Sequence, residues 1–104
     1  MRGVIVAFRH ERNLNVQLAV AFATVVAGLY YSITPMEWIA VITMMSLVLC
    51  LEMVNTAIEN LVNLVTREQH PLAGKIKDIA AGAVLLASFV SVVVGIIIFW
   101  KYIL

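Results

Sequence analysis

The sequence predicts an all-α integral membrane protein with three spanning helices, and three observations carry that expectation. Of its 104 residues, 63% are hydrophobic and only 12% are charged, whereas soluble domains carry roughly a quarter charged residues. Three apolar stretches, at 16–33, 37–65 and 79–100, are each long enough for a helix of about 20 residues to cross roughly 30 Å of hydrocarbon. None of them alternates as a strand would, and a lone chain of this size cannot close a barrel, so helices are left to satisfy the backbone in lipid. One membrane-embedded domain is expected over 1–104.

Residues 1–15 are too few to span. Val4, Ile5, Phe8 and Leu14 alternate with Arg9, Glu11 and Arg12 in a loosely helical pattern, which predicts an interfacial helix lying along the membrane surface. The first span is broken only by Gln17 and a few small residues. It exceeds the apolar core of a signal peptide and is expected to be retained. Ser32, Thr34 and Pro35 punctuate a connection so short that the first two helices must be antiparallel neighbours. After the second span, the stretch 66–77 carries Arg67, Glu68, His70, Pro71, Gly74 and Lys75 and reads as a solvated loop. Tyr30, Tyr31, Trp38, Trp100 and Tyr102 fall near one membrane boundary and read as aromatic anchors.

The cations set an orientation. Arg2, Arg9 and Arg12 precede the first span and Arg67, Lys75 and Lys77 lie between the second and third, while the first connection has none and the C-terminal tail only Lys101. The N-terminus is therefore expected in the cytoplasm and the C-terminus outside. A net charge of +1 with scattered basic residues gives no reason to invoke nucleic acid. Cys50 has no partner for an internal disulfide and reads as packing, and His10 and His70, without companions at metal-ligand spacing, read as solvated.

The chemistry lies in the second span. Glu52, Asn55, Thr56, Glu59 and Asn63 fall on one helix face, a polar ladder about three turns long inside an otherwise apolar stretch. Carboxylates at bilayer depth are costly and imply a compensating metal, cation or proton. The expected topology gathers Glu11, Glu59, Asn63, Lys77 and Asp78 near the cytoplasmic boundary and leaves Glu52 deeper. Carboxylates that can take a hard divalent cation, beside a lysine that can meet phosphate oxygens, suit a nucleotide-metal site. The deeper carboxylate suits a general base toward a hydroxyl held in the membrane. Gly74-Lys75 lacks the other residues of a phosphate-binding loop, and no soluble-kinase signature is present.

The segment E-M-V-N-T-A-I-E-N-L-V-N at 52–63 resembles the signature of the small prokaryotic diacylglycerol kinase family. The likeness extends to H-P-L-A-G-K-I-K-D-I-A-A-G-A-V-L-L at 70–86 and to Glu11-Arg12-Asn13, so it covers essentially the whole chain. The departure is Asn63, where the family usually has Asp. The resemblance implies an ATP-dependent lipid kinase of the bacterial cell membrane, a homotrimer with sites shared between subunits. By position, it implies Glu52 as general base, Asn55 as a residue that positions substrate or base, and Glu11 and Glu59 as holders of Mg²⁺ on the ATP phosphates. Lys77 would contact phosphate, Asp78 would order that end of the site, and Asn63 would keep hydrogen bonding without the anion. Arg9, Arg12 and Gln17 are secondary contacts or packing residues.

Small residues at Ala83, Ala87, Ser91 and Gly95, and at Ala19, Ala23 and Ala27, recur every four positions and admit another helix closely. They support oligomerisation independently of the resemblance. The short N-terminal segment and compact loop look more like the Gram-positive branch, which favours undecaprenol over diacylglycerol as lipid acceptor. Two other classes compete: a proton-coupled exporter using Glu52 or Glu59, and a non-catalytic assembly or pore subunit. Such an exporter usually needs four spans and one carboxylate per chain, and a pore subunit leaves Glu11, Glu59 and Lys77 unexplained.

Overall fold

The computed structural model describes residues 12–66 and 70–104. Three helices account for nearly all of them: α1 (Arg12–Tyr31), α2 (Pro35–Val65) and α3 (Pro71–Ile103). All three are long and apolar enough to cross a membrane, as the composition requires. At about 1.5 Å per residue, the 33 residues of α3 extend about 50 Å, against roughly 30 Å of hydrocarbon. A helix so long projects beyond the apolar layer. Met1 to Glu11, the greater part of the expected interfacial helix, lie outside the described residues.

Two boundaries differ from the sequence reading. The first helix already runs from Arg12, so 12–15 continue α1. The expected loop at 66–77 is shorter, because Pro71 opens α3 and His70 caps it, its Nδ1 accepting from the Leu72 amide at 3.2 Å. In sequence, the proline and glycine there read as breakers. Proline at the first helical position instead suits a helix start, since its missing N–H would have no intrahelical partner. The consequence is functional: Lys75, Lys77 and Asp78 sit on a helix, with directions fixed by its register.

The α1–α2 turn is tight. Ser32 adopts a left-handed φ of 51°, and the Ile33 amide donates back to the Gly28 carbonyl at 3.2 Å. Thr34 then caps α2 in a reciprocal box: the Glu37 amide donates to Thr34 Oγ1 at 3.2 Å and the Thr34 amide to Glu37 Oε1 at 2.9 Å. Glu37 also receives the Tyr102 hydroxyl at 2.5 Å and pairs with Lys101 at 2.7 Å. The end of α3 is thereby tied to the start of α2. This cluster escaped the sequence reading, although Thr34-x-x-Glu37 is a capping-box pattern.

The packed core sits at this turn end. Ile33, Val41 and Ile98 are buried and surrounded by Tyr31, Trp38, Phe99 and Tyr102, with the Tyr31 ring 6.2 Å from Phe99 and 5.9 Å from Tyr102. Tyr31 and Trp38, expected as boundary anchors, are therefore packing residues. Tyr30 and Trp100 remain exposed. Gly28 makes the close approach possible: a Cβ there would stand 2.7 Å from Trp38 Cη2 and 3.2 Å from Ile33 Cδ1. Gly28→Leu is expected to displace Trp38 and cost about 1–3 kcal/mol, read as a lowered thermal unfolding midpoint in detergent. An unchanged midpoint would mean that the indole moves away freely.

Candidate active site

Toward the other end, the ladder of α2 takes on definite geometry. Glu52 is 5% exposed and Asn55 8%, Thr56 and Glu59 are half-buried, and Asn63 is exposed. The face thus runs from buried to open over 11 residues, about 16 Å along the helix axis. The Thr56 hydroxyl donates to the Glu52 carbonyl at 3.0 Å, which satisfies that hydroxyl on its own helix. Asn55 Nδ2 donates to Glu59 Oε1 at 2.9 Å.

That last bond fixes the Asn55 amide and turns its oxygen to the opposite side. Asn55 Oδ1 is buried and has no hydrogen-bond partner among the described residues. A buried acceptor left unpaired costs about 1–3 kcal/mol, so the position calls for a donor beyond those the described residues supply. Asn55 and Glu52 line a cleft of about 310 Å³ together with Gln17 from α1 and Ala81, Val84 and Ser88 from α3. All three helices contribute. Gln17 and Ser88 also line a neighbouring cleft of about 440 Å³ that continues past Val20, Met45 and Gly95 to Phe99. Its surface is mostly apolar, so the cleft that holds Glu52 and Asn55 adjoins room suited to hydrocarbon.

Farther along, Lys77 Nζ donates to Asn63 Oδ1 at 2.7 Å, joining α3 to the end of α2. Asp78 follows on α3, exposed. The structure therefore connects Glu52, Asn55 and Glu59 along one helix face and brings Lys77 to Asn63 one turn beyond Glu59. Glu11, the other expected Mg²⁺ holder, lies outside the described residues.

No group of three or more His, Cys, Asp or Glu side chains that could hold a metal ion occurs among the described residues. Mg²⁺ is usually held by one or two carboxylates together with water and substrate phosphates. Glu59, with one oxygen engaged by Asn55, suits that role. A second groove of about 490 Å³ between Ile58, Leu61, Val65, Leu72 and Ile76 is almost wholly apolar and brings no carboxylate into its lining.

Ser88 was missed from sequence, and Gln17 was read only as a secondary contact. The available signals were a glutamine just inside the first span and hydroxyls at 88 and 91 in an otherwise apolar third span. Neither is specific until three helices converge. Of the small-residue face on α3, Ala87 is buried, whereas a Cβ at Gly95 would meet nothing within 4 Å. That part of the face lines the wider cleft without close packing against α1 or α2.

Comparison with known proteins gives a consistent picture. The family model for prokaryotic diacylglycerol kinase matches residues 1–99. The chain is 38% identical over 98 residues to the undecaprenol kinase of Bacillus subtilis strain 168, covering 94% of this chain and 80% of that protein. It is 33% identical over 101 residues to the diacylglycerol kinase of Escherichia coli K12, covering 97% and 83%. To the diacylglycerol kinase of Synechocystis it is 41% identical over 97 residues, 89% of this chain but 54% of that protein, so it spans about half that relative's length. These relatives are kinases, and the exporter reading finds no support among them.

Proposed function

We propose a reaction and the parts that perform it from one premise: the chain belongs to the prokaryotic diacylglycerol kinase family and is a multi-pass membrane lipid kinase. The reaction is transfer of the γ-phosphate of MgATP to the primary hydroxyl of a membrane lipid, with undecaprenol favoured over diacylglycerol. The observation that carries the site is the buried Glu52–Asn55 pair with its unpartnered acceptor, facing a cleft that adjoins an apolar groove. Likeness to the Bacillus undecaprenol kinase supports the choice of lipid.

Glu52 acts as the general base. Its carboxylate takes the proton of the lipid hydroxyl while that oxygen bonds to the γ-phosphorus, and the bond from phosphorus to the β,γ-bridging oxygen breaks to release ADP. Asn55 Oδ1 accepts from the lipid hydroxyl as it enters, and the O–H then turns from Asn55 to Glu52, which takes the proton in the reacting complex. The hydrocarbon tail leaves along the groove past Val20 and Met45. Lys77 binds phosphate oxygens at the open end of the ladder, with Asn63 and Asp78 ordering that end. Glu59, together with Glu11, would hold Mg²⁺, which would supply charge neutralisation on the phosphates. Positioning and charge neutralisation are most of what phosphoryl transfer needs, so this short inventory suffices.

The reading includes an orientation and an assembly. With the basic residues inside, the N-terminus and the Lys77 end face the cytoplasm, where ATP is. The recurrence of small residues along α1 and α3 supports a homotrimer, checked by a mass of three chains in detergent-corrected light scattering. The acceptor is tested by supplying undecaprenol and diacylglycerol side by side in defined mixed micelles with radiolabelled ATP. Faster labelling of undecaprenol is expected. Preference for diacylglycerol would reverse the acceptor assignment, and labelling of neither lipid would remove the kinase mechanism proposed here.

A further inference from the structure

We propose that Asn63 is a positioning residue for Lys77, and that its neutrality leaves the ammonium's full charge to the nucleotide phosphates. The inference rests on the reading of Lys77 as the phosphate contact. Its structural basis is the 2.7 Å bond from Lys77 Nζ to Asn63 Oδ1 across the α2–α3 pair. A lysine side chain has four rotatable bonds and loses considerable entropy when held in one place. The amide oxygen holds it with one of its three N–H donors, and two remain for phosphate. The α2 helix has no basic residue in its own last turn, so its carbonyl end further favours a cation supplied by α3.

A carboxylate at this position would hold Lys77 equally well. It would also cancel the charge that recruits the nucleotide and add an anion beside an anionic substrate. Asn63 supplies the hydrogen bond without that penalty.

The test is steady-state kinetics of the full-length enzyme in mixed micelles, with MgATP varied at low and high salt. Asn63→Asp is expected to raise the KM for MgATP about threefold to fivefold at low salt, with kcat and the lipid KM within twofold. The difference should shrink as added salt screens the exposed pair. Asn63→Ala removes the tether without adding charge, so it should raise the KM by a similar factor that does not change with salt, and Asn63→Gln should recover part of the loss. On a Lys77→Ala background, Asn63→Asp should raise the KM by clearly less than in the parent, because the larger part of its effect passes through the ammonium. An Asn63→Asp enzyme with an unchanged or lower KM overturns the proposal, as does an equal rise in the absence of Lys77. If Lys77→Ala alone leaves the MgATP KM unaltered, the phosphate role of Lys77 is what fails.

Discussion

Glu52→Gln is expected to reduce lipid phosphorylation by about 10²- to 10⁴-fold, the usual worth of a positioned general base, while MgATP still binds. The substitution keeps the side chain's shape and its ability to hydrogen-bond, and removes only its basicity. The site is 5% exposed, so a neutral amide also avoids the cost of burying a carboxylate. Folding stability should therefore hold or rise while turnover collapses. That pairing separates chemistry from architecture: a structural carboxylate would lose stability first. Measured kcat near the parent value would remove Glu52 as the base.

Glu59 is expected to produce the second-largest effect, and two substitutions divide its possible roles. Its carboxylate accepts from Asn55 Nδ2 at 2.9 Å, so Glu59→Ala releases the amide as well as removing the anion. Glu59→Gln retains an oxygen that can accept from Asn55 and loses only the charge. If Glu59 holds Mg²⁺, both variants should need about tenfold or more Mg²⁺ for half-maximal rate, since even outer groups around a metal are worth this much. Recovery of the parent's Mg²⁺ titration by Glu59→Gln alone would show that orienting Asn55 is its whole contribution.

The ladder on α2 was legible in the sequence because cost makes it so: polar residues at helical spacing inside an apolar span are rare unless something compensates them. Three spans were legible for a related reason, since a bilayer sets a minimum apolar length. Helix ends were less so. Proline and glycine at 71 and 74 signal a breaker and a helix start alike, and His70 becomes a cap only through the direction of its ring. Trp38 and Tyr31 read as boundary aromatics because their distance from the chain's polar ends is visible in sequence, whereas contact with Gly28 and Phe99 is not. Gln17 and Ser88 lie about 70 residues apart, so only tertiary packing brings them to the same cleft as Glu52. The unpaired oxygen of Asn55 was equally invisible, because it follows from which way the Glu59 bond turns the amide.

The most direct test of the lipid site is photolabelling with a prenol carrying a diazirine beside its hydroxyl, followed by mass spectrometry of the labelled chain. The hydroxyl should dock between Glu52 and Asn55, so label is expected on Gln17, Val84, Leu85 and Ser88, the neighbours that line that cleft, and unlabelled undecaprenol should suppress it. Label confined to Leu61, Leu72 and Ile76 in the apolar groove, or spread evenly over the lipid-facing surface without competition, would contradict the assignment of the Glu52–Asn55 cleft as the place where the acceptor is phosphorylated.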